Sequence, residues 1–360
     1  MRGKMMSAES NVMVSVIMPV YNVEQYIDRA VASVLSQSFQ DFEIILSDDG
    51  STDSSGILCD HYAAMDSRIK VLHHENSGVG PARNAGLQIA KGKYIYFMDP
   101  DDSIEKDLLK DNIGLAEKYS CDEVIFGFVS EICDKHDVCI KRTVYLHNLS
   151  GLYDFNTFQK DYMSHLKNVP FAVWNRIYSR RLLDGIRFDG INTAEDAVFN
   201  LSLEQKGFSK IYYHNKAYYT YYGRADSLMN KFNPKRFENE ALITDIIWGM
   251  VSQWGKTEEF EKYLSYRYME SLLNEYNNMA MPDCPLSNKQ MVERIKALFS
   301  DTRIVDAAAR LSNSDIPYIT ARICFILSKR GHFYIALLFR RYYTPVSRFV
   351  YRILTKIKRK

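Results

Sequence analysis

The chain reads as an α/β protein, with a mostly parallel sheet flanked by helices and an α-helical C-terminal appendage. Three observations predict this. Short apolar runs alternate with helical patterns over residues 14–98, the pattern of a parallel sheet covered on both faces. The runs end in turn and acidic residues, and in open α/β sheets ligands bind beyond the carboxyl ends of the strands. After about Pro234 the strand-like runs stop, and helical patterns follow one another.

The elements justify that reading in order. Val14 to Asn22 is an apolar run that ends in turn residues, and Val23 to about Ser36 is helical, with Ile27, Val31, Val34 and Leu35 on one face. Phe42 to Ser47 is a second strand. It ends in Asp48-Asp49-Gly50-Ser51-Thr52-Asp53. A helix then reaches about Met65, and Asp53 is placed to cap its start. Ile69 to His73, Gly78 to Ala90 and Tyr94 to Met98 supply a strand, a helix and a fourth strand.

That fourth strand runs directly into Asp99-Pro100-Asp101-Asp102. Carboxylates so close repel and raise one another's pKa unless a cation holds them ionised, and hard oxygen ligands suit Mg2+ or Mn2+. The plain alternative is a solvated acidic turn. A calcium-binding helix-loop-helix is excluded, because its loop needs glycine sixth and glutamate twelfth, where this chain has Ile104 and Lys110.

Residues from about Val14 to Leu109 closely resemble the inverting family 2 glycosyltransferases of GT-A fold, a Rossmann-like nucleotide-diphospho-sugar transferase architecture. VSVIMPVYN, SVLSQSFQDFEIILSDDGSTD and NSGVGPARNAGLQIAKGKYIYFMDPDD carry the resemblance. Such enzymes move a sugar from a nucleotide diphosphate sugar to an acceptor hydroxyl. The resemblance implies donor contacts from Pro19 and from Tyr21 beside the base, with Asp49 on uracil or ribose. It places Arg83 and Asn84 along the nucleotide pocket, Asp101 as direct metal ligand, and Asp99 close to the ribose and metal. Asp48 either joins the donor site or ties its own turn.

Chemistry agrees with these roles. Charge builds on the leaving diphosphate as the glycosidic bond breaks, and a bound cation stabilises it. An ionised aspartate accepts the uracil N3–H, and a tyrosine offers a ring for stacking.

A further strand spans about Glu123 to Val129, and the variable segment after it, with Cys133 and Cys139, is where acceptor specificity is expected to start. Val169 to Tyr178 sets Trp174 beside an amide and a cation. Trp174 is either core or, by the resemblance, under the donor sugar and acceptor. Thr193 to Phe199 opens a helix whose Glu195 and Asp196 have an ordinary explanation beside the positive helix end. The resemblance instead makes Asp196 the catalytic base, with Glu195 orienting an acceptor hydroxyl. A sugar hydroxyl attacks well only when a carboxylate takes its proton. Tyr218 to Met229 reads as a strand entering a loop, in which Arg224 and Ser227, by the resemblance, clamp the donor diphosphate, or are simply surface residues.

Helical patterns occupy Phe237 to Trp254, Glu258 to Met279 and Ser287 to Ser300. After Asp315 no acid recurs, while Lys and Arg alternate with aromatics in a basic amphipathic tail. Such a tail suits an anionic membrane surface, and its longest apolar run is too short to span one. The rivals are a nucleic-acid-binding tail and a helix packed on its own domain. A net charge of only +2 over 360 residues argues against general nucleic-acid binding.

The expected organisation is a disordered N-terminus (1–12), a catalytic domain (13–232), a helical region (233–315) and the tail (316–360). Hydrophobic content of 46% can supply the cores. The six cysteines show no metal-type pairing. Without an apolar leader the chain reads as cytoplasmic and reduced, peripheral at the inner membrane face. The expected function is metal-dependent transfer from a nucleotide sugar, UDP-linked by the resemblance, to a glycan or lipid-linked oligosaccharide in bacterial surface polysaccharide synthesis. The helical region is a candidate homodimer interface. The alternatives are a sugar nucleotidyltransferase or pyrophosphorylase, which would want a Gly-rich basic loop in place of Pro19-Val-Tyr-Asn22, and a non-catalytic sugar-binding relative.

Overall fold

The computed structural model describes residues 12–133, 139–188, 193–223, 231–316, 319–336 and 338–339. The N-terminal segment read as disordered lies outside the described residues, apart from Val12. The chain divides into two compact units, 1–224 and 225–360.

The first unit opens as the alternation requires: β1 (Val14–Val20), α1 (Ile27–Leu35), β2 (Phe42–Asp48), α2 (Ser55–Met65), β3 (Ile69–His73), α3 (Val79–Ile89) and β4 (Tyr94–Phe97). These strands pair in parallel in the order β3-β2-β1-β4. All seven residues of β1 and of β2 are buried, as expected for parallel strands covered on both faces. Successive side chains point to opposite faces. Val16 and Met18 therefore join α1 residues Val31 and Val34 in one core, while Ile17 and Phe97 join α3 residue Leu87 in the other. Each fully buried aliphatic or aromatic side chain contributes about 1.5–3 kcal/mol. Gly86 lets α3 close on the sheet, since a Cβ there would lie 2.5 Å from the Ile17 side chain.

The rest of the unit comprises β5 (Ser103–Ile104), α4 (Leu108–Tyr119), β6 (Glu123–Cys133), β7 (Cys139–Tyr145), β8 (Gly151–Asp154), α5 (Phe155–Lys160), α6 (Tyr162–Asn168), β9 (Arg176–Ser179), α7 (Glu195–Lys206) and β10 (Lys210–Gly223). The sheet continues as β4-β9-β6-β10-β5, with β7 added to β6 and β8 to β10. Here it is mixed. β9 runs antiparallel to both β4 and β6, while β10 is parallel to β6. A buried polar network braces this half: Arg176 pairs with Glu123 at 2.8 Å, and His165 joins Glu204 at 3.0 Å and the Tyr213 hydroxyl at 2.8 Å.

The second unit holds α8 (Arg236–Gln253), α9 (Thr257–Met279), α10 (Asn288–Phe299), α11 (Thr302–Arg310), a 3-10 turn and α12 (Ile319–Lys329). Ser287 starts α10 with a reciprocal capping box to Gln290. The expected break at residue 315 is not a boundary in packing. Ile316, Cys324, Phe325 and Ala336 are buried in the core built by α9, α10 and α11, with Phe333 and Phe339 packed against it. This part of the stretch read as an amphipathic tail is a helical layer of the unit. Tyr334 and Ile335 remain exposed, and residues 340–360 lie outside the described residues.

Candidate active site

The carboxyl ends of β1 and β2 carry two stitched loops. Asn22, at φ 51, accepts from the Thr52 backbone N–H at 2.8 Å and donates its own N–H to the Ser51 hydroxyl at 3.1 Å. Gly50 takes φ 71, and a Cβ there would meet the Asn76 nitrogen at 2.9 Å, so the turn requires glycine. Tyr21 is 47% exposed at the rim. Pro19 lies buried within β1, facing the β4 side beyond the last β1–β4 pair, where no ladder donor is needed.

The adjacent aspartates divide their work. Asp48 accepts from the Ser51 N–H at 3.1 Å and bonds the His73 ring at 2.8 Å. Burial alone would raise its pKa, yet these hydrogen bonds outweigh it and hold the carboxyl below its usual range. Of the two readings of Asp48, turn-tying accounts for its contacts. Asp49 accepts from the Ser77 and Gly78 N–H groups, each at 2.8 Å, which fixes the entry to α3. Asp53 accepts from the Ser55 N–H at 2.9 Å, although Ser54 is the cap residue of α2.

Arg83, on α3, is the centre of the site and is only 3% exposed. One guanidinium nitrogen donates to Asp196 Oδ1 at 2.6 Å and the other to Asp99 Oδ1 at 2.9 Å, with Glu195 Oε1 at 3.8 Å. Three carboxylates from two distant segments thus share one buried cation. Burial pushes Asp196 up to about 6; Arg83 opposes this, while Asp99 and Glu195 add to it. Its Oδ2 accepts from the Val173 N–H at 3.3 Å. Glu195 Oε2 is buried with no hydrogen-bond partner among the described residues. Thr193, just before this helix, holds φ 70, a strained value for a β-branched residue.

Asn84 does different work from its neighbour. Its amide donates to the Phe188 carbonyl at 2.8 Å and accepts from the Phe188 N–H at 2.9 Å. Phe188 in turn stacks on Phe199 at 4.0 Å and lies 5.3 Å from the Arg83 guanidinium. Asn84 therefore positions the wall behind Arg83.

The acidic cluster after β4 splits in direction. Asp102 is 1% exposed and turned inward, accepting from the Tyr219 hydroxyl at 2.5 Å and the Tyr222 N–H at 2.9 Å. Burial, with Asp101 and Asp99 nearby, raises its pKa well above normal. Tyr219 stacks on Trp174 at 4.4 Å. Trp174 is thus part of a ring stack at the site's edge. Arg29, which the sequence reading did not single out, donates to the Asp101 backbone carbonyl at 2.6 Å and lies 3.7 Å over the Tyr222 ring. Arg224 and Ser227 lie outside the described residues.

No group of three or more His, Cys, Asp or Glu side chains among the described residues forms a ready-made metal cage. The donor chemistry still fits a small hard cation, which takes one or two carboxylates plus substrate phosphates. Asp101 and the Asp99 oxygen not facing Arg83 are the groups that would hold it. No disulfide joins any of the six cysteines, all of which are described. Cys133 and Cys139 are register partners across the β6–β7 hairpin.

Comparison with known proteins shows what the chain is similar to. The profile of Glycosyl transferase family 2 matches residues 15–186. Glycosyltransferase GlyA of Streptococcus pneumoniae is 32% identical over 232 residues, 62% of this chain and 32% of that protein, so the chain spans about a third of its length. The putative teichuronic acid biosynthesis glycosyltransferase TuaG of Bacillus subtilis is 33% identical over 198 residues, covering 55% of this chain and 74% of TuaG. Among solved structures, S. aureus TarS 1-349 in complex with UDP-GlcNAc aligns with a TM-score of 0.62 over 92% of both chains at 20% identity, a likeness of fold.

Proposed function

We propose that this chain, which belongs to glycosyl transferase family 2, transfers a sugar from a nucleotide diphosphate sugar to a hydroxyl of a glycan or lipid-linked oligosaccharide. The reaction is a single inverting displacement, with Asp196 as base. The observation that carries this reading is the buried Arg83 that joins Asp99 to Asp196. A carboxylate raised to about 6 is ionised at neutral pH yet basic enough to take a hydroxyl proton during attack. Glu195, whose Oε2 has no hydrogen-bond partner among the described residues, keeps an acceptor oxygen beside Asp196 that supports a role in orienting the acceptor.

The donor is a UDP-sugar in this reading, by analogy with the TarS complex, and the product enters a bacterial surface glycan, as the name of TuaG suggests for that protein. Exposed Tyr21 offers a ring to the base. Asp101 and Asp99 would hold Mn2+ or Mg2+, which when bound stabilises charge on the departing diphosphate as a Lewis acid.

No helix among the described residues is long and apolar enough to cross a membrane. Residues 340–360 carry eight Lys and Arg and no acid, which supports attachment at the inner membrane face at roughly 1 kcal/mol per cation near the surface. Deleting 340–360 then lowers co-sedimentation with anionic vesicles; unchanged sedimentation refutes the attachment.

The test of function is nucleoside diphosphate release from a panel of nucleotide sugars, with Mn2+ or Mg2+ and with or without lipid-linked acceptors. Asp196→Asn abolishes transfer while retaining donor binding. Undiminished turnover in that variant overturns the assignment.

A further inference from the structure

An aromatic strip leads away from the site along one face of the sheet. Tyr145 of β7, Phe128 of β6 and Tyr219 of β10 occupy one cross-strand row. The Tyr145 and Phe128 rings stack at 4.7 Å and 11°, and Phe128 meets Trp174 edge-on at 4.9 Å. Trp174 lies nearly parallel to Tyr221, at 12° and 6.2 Å between centroids. The strip begins one residue from the amide that bonds Asp196, since Val173 precedes Trp174. It ends at an edge strand, where Tyr145 is 47% exposed. Phe128, Trp174 and Tyr221 are half-buried.

The next row along the same face is polar. Thr143 pairs with Ser130, and Ser130 with Tyr221. With strands about 4.8 Å apart, three strands give a platform about 10 Å wide, with aromatic rings in one row and hydroxyls in the next. The apolar C–H patches of a pyranose pack against such rings, and its hydroxyls meet hydrogen-bonding groups beside them. A lipid chain would leave the Ser130 and Thr143 hydroxyls without partners.

We propose that this strip is an acceptor subsite that takes a saccharide of two or more rings, the terminal ring at Asp196 and the preceding rings on Trp174, Phe128 and Tyr145. The inference deepens the function proposed above and rests on it. It makes Tyr145 and Tyr221 specificity-determining residues for acceptor length. Donor chemistry is confined to the other end of the strip.

The test uses the full chain and one-, two- and three-ring oligosaccharides of gluco, manno and N-acetylgluco type, with binding followed by saturation-transfer NMR. UDP affinity is measured on the same samples and reads the donor end separately. Affinity rises with ring number in at least one series. Tyr145→Ala and Tyr221→Ala each remove roughly three- to tenfold of that rise, and Tyr145→Phe restores it. Thermal melts establish that each variant is folded. No dependence on ring number, or a dependence that survives both alanine variants, overturns the subsite. Absent UDP binding in the unmodified chain instead counts against the function on which the subsite rests.

Discussion

Replacing Arg83 by methionine removes the charge shared by Asp99, Asp196 and Glu195 while keeping most of the side-chain volume. The guanidinium lies 2.6 Å from Asp196 and 2.9 Å from Asp99. Unit charges about 4 Å apart interact by about 4 kcal/mol at an effective dielectric near 20, an upper bound of about 3 pH units at 1.36 kcal/mol per unit. The carboxylates are 24% and 27% exposed, and water screens part of this, leaving a shift of about 1–2 units.

A base with a raised pKa is lost as pH falls through that value. The unmodified enzyme should therefore lose kcat/KM below about pH 6, and Arg83→Met should lose it below about 7–8. At pH 7 the variant falls by about two- to tenfold in ionised base and recovers most of that at pH 9. Arg83→Lys keeps the charge and so holds the acid limb near its original place, while its lost second contact lowers the rate at every pH. The assay is the pH profile of kcat/KM for nucleoside diphosphate release with saturating acceptor. An acid limb that stays near 6 in Arg83→Met refutes the reasoning.

Arg29→Ala loses a charge-assisted hydrogen bond to the Asp101 carbonyl and a cation–π contact, together about 2–3 kcal/mol; a tenfold or larger rise in donor KM that Arg29→Lys does not recover is the expected kinetic result. Asp102→Ala leaves the Tyr219 hydroxyl and the Tyr222 N–H buried without their acceptor, and chemical denaturation should register about 1–3 kcal/mol for each. Glu204→Ala strands buried His165 and the Tyr162 hydroxyl; a loss of about 3–5 kcal/mol should appear as a lower thermal midpoint, while an unchanged melt would mean that the network is dispensable.

Strands β1 to β4 were legible because they are apolar runs ended by turn residues, and burial on both faces enforces that pattern. β9 was not, since it is four residues long and includes Arg176, whose charge is paired with Glu123, 53 residues away. β7 is exposed along most of its length, so no periodic signal marks it. Within the site, the motifs pointed to Arg83, Asp99 and Asp196 one at a time. Their union depends on contacts across 16 and 113 residues, which no local pattern records. Asp102 looked like its two acidic neighbours, and it is held inward by Tyr219 and Tyr222 of β10, 117 and 120 residues away. Arg29 reads as an ordinary helical cation, and nothing in its spacing signals the carbonyl that it holds. For residues 316–339 the aromatics alone do not say whether lipid or protein covers them, and Phe325, Phe333 and Phe339 pack on protein.

The shared guanidinium also constrains how such a protein can diversify. Losing Asp99 or Asp196 takes a close partner from a cation with almost no access to water, and losing the cation sets three anions against one another. Changes at these positions are therefore strongly epistatic, and a viable departure must alter several at once. Tyr145, by contrast, sits at an open edge and can be exchanged with few repercussions, which directs both natural drift and laboratory redesign of substrate preference to the hairpin.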